Sequence, residues 1–387
     1  MGEDIKTRRE FLVSTAAGGI AGIIAYGVAP VFARNVGERK EISLEQAQKV
    51  HKKCLIIDGH NDTPVERVAR GERSLTWMQR DMAYQTDIPR MKEGQHYLGF
   101  MIVGNGLVAN VWVTSELVLE QIKAHPDDIM QVLCSRDAVR VGKSDKVGVM
   151  LSIEGIAKWL DGKIDILRML HRIGIRLVGI THGEGGSEPT VLQGTASHYG
   201  PCTPEEREAE RKNAVGLTPF GIEVLKLSNE LGIVTDTAHI NDKAFFDVME
   251  RSSTPPIMSH TAVFSLGRHW RCMTDDQIKA LAARGGVMGI TFVPEFIDPD
   301  PAMATVDRLV DHICFVADLV GIDYVGIGTD YDGGVKVPVI PEVSQLVELT
   351  RGMLARGFTE EDIQKVWGGN FLRILRQTID RQSAGRQ

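Results

Sequence analysis

From residue 54 onward, short unbroken apolar runs alternate with longer stretches of helical spacing. The runs are 54–57, 97–103, 147–153, 175–180, 233–237, 257–259, 286–292 and 324–328. Several are continuous aliphatic segments without polar alternation, the pattern of strands covered on both faces. Segments 43–53, 219–231, 274–284 and 303–319 between and around them read as helices. Strands alternating with helices predict an α/β protein with a parallel sheet. Eight such runs over roughly 300 residues predict a (β/α)8 TIM-like barrel. A doubly wound open sheet is the alternative.

The polar residues at the ends of these runs favour the barrel. His60 and Asp62, Glu154, His182, His239, His260 and Asp330 each follow the carboxyl end of a run, where barrel enzymes gather chemistry from several strands. In Asp58-Gly59-His60-Asn61-Asp62, residues two apart on an extended chain share a face. His60 and Asp62 can therefore converge on one ion, as a nitrogen and an oxygen suited to zinc. Glu154 closes an aliphatic strand, and a carboxylate there can bridge two ions through its two oxygens. His239 and His260 each end a run. Asp58 and Asp236 are candidates to orient ligands from behind. Taken alone, each feature is more often structural: a polar strand end, a solvated acid or a hydrogen-bonded histidine. Their recurrence in order, strand after strand, is what points to a metal site.

The first 33 residues break the pattern. Thr7-Arg8-Arg9-Glu10-Phe11-Leu12 opens into a Gly- and Ala-rich apolar run that ends at Val31-Phe32-Ala33. A basic start, an apolar middle and a small-x-small end describe a signal peptide, and the paired arginines describe the twin-arginine type. An uncleaved membrane anchor is the alternative, disfavoured by the frequent glycines. The expected organisation is a signal peptide at 1–33, a polar linker at 34–45 and the barrel at 46–387, exported to a bacterial periplasm. Once processed, the chain is expected to have no stable membrane insertion.

Composition removes other classes. Against 44 Lys and Arg stand 51 Asp and Glu, a net charge of −7, which disfavours a phosphate-backbone partner, so no nucleic acid is expected. The five cysteines have no CxxC pair, which argues against a zinc ribbon or a disulfide scaffold and for unbridged thiols, buried or weakly exposed.

The chain resembles the membrane (renal-type) dipeptidase family of binuclear zinc metallopeptidases. The resemblance runs from about Ala47 to about Leu375. It rests on Asp58-Gly59-His60-Asn61-Asp62, Glu154-Gly155, Ile180-Thr181-His182, Gly216-Leu217-Thr218-Pro219-Phe220-Gly221, Ser259-His260, Gly285-Gly286-Val287, Gly326-Ile327-Gly328-Thr329-Asp330-Tyr331-Asp332-Gly333 and Gly368-Gly369-Asn370-Phe371-Leu372. It implies a barrel of the metal-dependent hydrolase type and a cofactor of two zinc ions. One would be held by His60, Asp62 and Glu154, the other by Glu154, His239 and His260. It implies hydrolysis of a dipeptide's peptide bond by a metal-bridging hydroxide. His182 would contact substrate and stabilise the oxyanion, Arg271 would bind the substrate carboxylate, and Asp330 would move the proton. The family's homodimer is implied as well. The chain departs from the family at Asp236-Thr237-Ala238-His239, at Cys272 after Arg271, and at Gly183-Glu184-Gly185-Gly186. These changes leave the ligands intact and fall where pocket loops would lie. Two other readings remain at this stage: a related binuclear amidohydrolase acting on a non-peptide substrate, and a catalytically silent metal- or solute-binding protein.

Overall fold

The computed structural model of the protein describes residues 40–74, 76–105, 110–182 and 190–381. The segment read as a signal peptide, and most of the linker, lie outside these residues. Leu44 and Glu45, within the linker bounds, already form the first turn of a helix, Leu44–His51, closed by a capping box between Ser43 and Gln46. Among the described residues, no helix is long and apolar enough to cross a membrane.

Among the described residues there are nine strands: β1 (Ile56–Asn61), β2 (Tyr97–Asn105), β3 (Ile129–Gln131), β4 (Val147–Glu154), β5 (Leu177–Gly179), β6 (Val234–Asp236), β7 (Ile257–Thr261), β8 (Val287–Ile290) and β9 (Val325–Ile327). Eight of them close into a parallel barrel in the order β1-β2-β4-β5-β6-β7-β8-β9, and β9 returns to β1 through Asp58↔Ile327. The open-sheet alternative is therefore set aside. All eight apolar runs of the sequence are barrel strands. β3 has no counterpart among them: it flanks the first residues of β4, from Ile129↔Val147 to Gln131↔Val149, outside the ring. Helices Pro219–Leu231, Asp275–Ala283 and Val306–Val320 fall within a few residues of their predicted bounds.

The barrel encloses two unlike ends. At its amino-terminal end, Ile57, Leu98, Phe100, Met150, Leu177, Val234, Ile257 and Val287 come from the early parts of seven strands. They form one apolar cluster with Phe371, Ile374, Leu375 and Ile379. Phe371, on helix Asn370–Leu375, plugs the opening. Its ring fits because Gly59 and Gly326 lack side chains: a Cβ would lie 2.8 Å from the ring at Gly59 and 2.6 Å at Gly326. Such packing is where most of the barrel's cohesion comes from. The larger apolar cluster lies between the strands and the surrounding helices. The carboxyl-terminal end carries the polar residues.

None of the five cysteines is in a disulfide; Cys54, Cys202, Cys272 and Cys314 are buried and Cys134 is half-buried. Burial pushes the thiols of Cys54 and Cys272 up to about 12, so both stay protonated and inert.

Candidate metal centre

Glu154, the last residue of β4, stands at the middle of the site. Its Oε1 lies 2.7 Å from His239 Nε2, 3.5 Å from His260 Nε2 and 3.6 Å from His60 Nε2. Its Oε2 lies 3.4 Å from His182 Nε2. The tilted rings of His60 and His260 pack with centroids 3.8 Å apart, and those of His182 and His239 with centroids 4.5 Å apart.

Each side chain is delivered by a local device. Asp62 is the N-cap of helix Thr63–Ala69, yet its carboxylate makes no capping bond. It turns instead to His60, with Oδ2 3.0 Å from Nε2, at the expense of a helix end it would ordinarily satisfy. His239 follows β6 with φ +67° and Asp330 follows β9 with φ +63°, the left-handed region that non-glycine residues rarely occupy. Such backbone strain is a hallmark of functional positions. Asp330 is fixed further by its N–H, which donates to the His60 carbonyl at 3.1 Å, and its Oδ1 lies 3.9 Å from His60 Nε2.

His260 is oriented from behind. Ser259 Oγ donates to Asp236 Oδ2 at 2.6 Å and lies 2.8 Å from His260 Nδ1. With its hydroxyl proton committed to Asp236, the serine oxygen accepts from Nδ1–H, which leaves Nε2 a lone pair facing the cluster. Asp236 thus orients His260 through Ser259. Asp58 does not reach an imidazole. It accepts from Tyr97 Oη at 2.5 Å, from the Thr329 N–H at 2.8 Å and from Thr329 Oγ1 at 2.8 Å, binding β1 to β2 and to the turn that carries Asp330.

Burial dominates the protonation of the cluster. Burial pushes the Asp330 carboxyl up to about 8, with Asp62 and Glu154 adding to it. Asp62 is raised in the same way. Burial opposes charge on His60, but Asp62 and Glu154 outweigh it and hold that imidazole up at about 10. Burial, with Arg271 nearby, drives His239 and His260 well below the usual histidine range, so both present neutral nitrogens. Asp62 Oδ1 is buried with no hydrogen-bond partner. That orphaned oxygen, with the neutral nitrogens of His239 and His260 in the same cluster, is a donor set suited to a divalent metal. His60, Asp62 and Glu154 offer atoms that lie mutually within 4.8 Å, and so do Glu154, His182 and His239. His182, expected on the substrate, therefore also stands at ligand range from the centre.

All eight predicted site residues converge at this end of the barrel. Asp62, Glu154, His182, His239, His260, Arg271 and Asp330 line one cleft of about 1100 Å³, with His60 buried beneath. Arg271 Nη2 donates to His260 Nε2 at 2.7 Å, which places a planar cation at the edge of the cluster.

The model of the membrane dipeptidase family (peptidase family M19) matches residues 44–386. The chain belongs to that family. Among curated relatives, dipeptidase tcpJ of Claviceps purpurea (strain 20.1) is 30% identical over 245 residues, 63% of this chain and 54% of that protein. The chain thus spans about half the length of that relative. The uncharacterized dipeptidase C965.12 of Schizosaccharomyces pombe is 27% identical over 365 residues, 88% of this chain and 84% of that one. Two solved structures share the fold. A metallo peptidase from Rhodobacter sphaeroides, liganded with a phosphinate mimic of the dipeptide L-Ala-D-Ala, superposes with TM-score 0.75 at 23% identity, covering 84% of this chain and 99% of that one. The probable dipeptidase PvdM from Pseudomonas aeruginosa gives 0.74 at 19% identity, covering 87% and 98%.

In this M19 chain the cleft also has walls that sequence reasoning passed over. Tyr199 overhangs it, edge-on to His269 with centroids 4.8 Å apart. It lies on an irregular excursion with no periodic signal to mark it. Asp332, two residues after Asp330, accepts from Thr63 Oγ1 at 2.5 Å and from the Gln85 N–H at 2.9 Å. It ties the turn after β9 to the segment after β1. The departure at 183–186 lies outside the described residues.

Proposed function

We propose that this chain is a zinc-dependent dipeptidase that uses two ions held around Glu154. The observation that carries the reading is the single carboxylate with four imidazole Nε2 atoms 2.7–3.6 Å from its two oxygens. His60, Asp62 and Glu154 would hold one ion, and Glu154, His239 and His260 the other. When bound, the pair supplies the Lewis acidity that ionises a shared water near neutral pH and polarises the scissile carbonyl.

The chain's own residues do the rest. Arg271 grips the C-terminal carboxylate of the substrate with its planar fork. That grip demands a free carboxylate one residue beyond the scissile bond and so selects dipeptides over longer chains. His182 donates a hydrogen bond to the oxygen that gains charge as the carbonyl is attacked. Asp330 takes the proton of the attacking water and passes it to the leaving amine, base first and acid second. The leader with Arg8 and Arg9 would carry the folded, loaded enzyme to the periplasm.

A dipeptide panel, with and without a chelator, tests this. It should include L,D pairs, because the Rhodobacter sphaeroides structure holds a mimic of L-Ala-D-Ala. Chelator-sensitive cleavage of free dipeptides, with their C-terminal amides cleaved far more slowly, is the expected result. Cleavage of amides or esters alone would favour a related amidohydrolase, and no cleavage at all a silent binding protein.

A further inference from the structure

Helix Pro204–Asn213 has the sequence PEEREAERKN, and its one buried side chain is Arg207. No apolar face docks this helix. An arginine does, and all five of its donors are engaged. Nε and Nη2 grip Asp242, at 3.1 Å to Oδ2 and 2.7 Å to Oδ1. Nη2 also donates to Gln277 Oε1 at 3.1 Å. Nη1 donates to two backbone carbonyls, those of Trp270 at 2.9 Å and Cys272 at 2.8 Å.

Those two carbonyls flank Arg271. The carbonyl of Arg271 itself accepts from Thr261 Oγ1 at 2.6 Å, and its N–H donates to His269 Nδ1 at 3.1 Å. The turn lies between two isolated bridges, Pro201↔His269 and Val263↔Met273, in no regular element. Its three successive carbonyls are held by two side chains, and Arg207 holds two of the three. The other half of the grip reaches the neighbouring loop: Asp242 opens helix Asp242–Arg251, three residues after His239. Arg211 adds a further contact to it at 2.6 Å. One buried guanidinium therefore spans the loop that presents His239 and the turn that presents Arg271.

We propose that Arg207 is a positioning residue, bracing the turn of Arg271 against the loop of His239, and that this brace sets the demand for a free substrate carboxylate. The proposal rests on the dipeptidase reading. Lysine cannot replace Arg207, because an ammonium offers three donors from one point, against five contacts made from three separated nitrogens.

The test compares zinc-loaded wild type with Arg207→Met and Arg207→Lys on a dipeptide and on the same dipeptide as its C-terminal amide. Loosening the carboxylate grip should lower kcat/KM for the free dipeptide ~10- to 100-fold, chiefly through KM. Cleavage of the amide, which never used the grip, should change less than about 3-fold. Zinc content should stay at the wild-type value. An unchanged ratio of dipeptide to amide in either folded variant overturns the proposal; if the Met variant does not fold, the Lys variant decides. A fall on both substrates in parallel, with lost zinc, also overturns it, because that marks a general structural role. A wild type that cleaves no dipeptide overturns the dipeptidase reading and this proposal with it.

Discussion

The two ends of the barrel are built from the same strands and solve opposite problems. At the amino-terminal end, strand-start aliphatics close on Phe371, and the interior is sealed by apolar contact. At the carboxyl-terminal end the same strands finish in His60, Glu154, Asp236 and His260, and charge is gathered where water would ordinarily be needed to solvate it. The lower end is held by packing, which tolerates no polar group. The upper end is held by hydrogen bonds and strained turns, which cost stability and are expected to be repaid when metal binds. Stability and function are thus separated along one axis of the molecule.

Substitutions can break that separation. Asp330→Asn removes a proton acceptor from the upper end and keeps its shape. It should lower kcat by ~10²- to 10⁴-fold while zinc content, measured by elemental analysis, stays at wild type. Unchanged turnover would remove Asp330 from the chemistry. Phe371→Ala should do the reverse, costing about 3–5 kcal/mol in denaturant unfolding with kcat unaltered well below the melting temperature. A comparable loss of kcat in the folded variant would show that the two ends are coupled. Ser259→Ala breaks the link from Asp236 to His260 and should weaken zinc binding roughly 10- to 100-fold, read by competition with a metal indicator. An unchanged zinc affinity would leave Asp236 a purely structural acid.

The smallest expected effect concerns His312, which braces the helical layer. Its Nδ1 accepts from the Val263 N–H at 2.9 Å and its Nε2 donates to the Ile297 carbonyl at 2.8 Å, so only the neutral ring fits. Burial lowers its pKa from 6.5 to about 4. Above 6.5 neither the folded nor the unfolded chain is protonated there, and the full stability is present. As pH falls toward 4, the unfolded chain takes a proton that the folded chain refuses, and stability declines. The size of the decline follows from the separation of the two pKa values. His312→Gln should therefore flatten the melting temperature between pH 6.5 and 4 relative to wild type, and parallel curves would contradict the assignment.

The barrel was legible because its strands are buried on both faces and therefore read as unbroken aliphatic runs. β3 was not, because three residues beside β4 carry too little pattern to register. The cluster was legible because each member ends a run, and the fold turns sequence positions far apart into neighbours. The supports were harder to see. Ser259 acts through a hydroxyl one residue from the histidine it orients, and Asp58 proved to join strands rather than imidazoles. Arg207 sits in a helix whose charged sequence reads as wholly solvent-facing, so nothing in its pattern separates the buried arginine from its neighbours. Hydrogen bonds to backbone carbonyls leave no periodic trace.

The central claim is that the upper end is a two-zinc peptide-bond hydrolase centred on Glu154. Its most direct test is a titration of zinc into the chelated protein while dipeptide cleavage and bound zinc are followed together. The account predicts no cleavage without metal and full activity only at two zinc ions per chain. Full activity in the chelated protein, or saturation of both signals at a single ion, would contradict it.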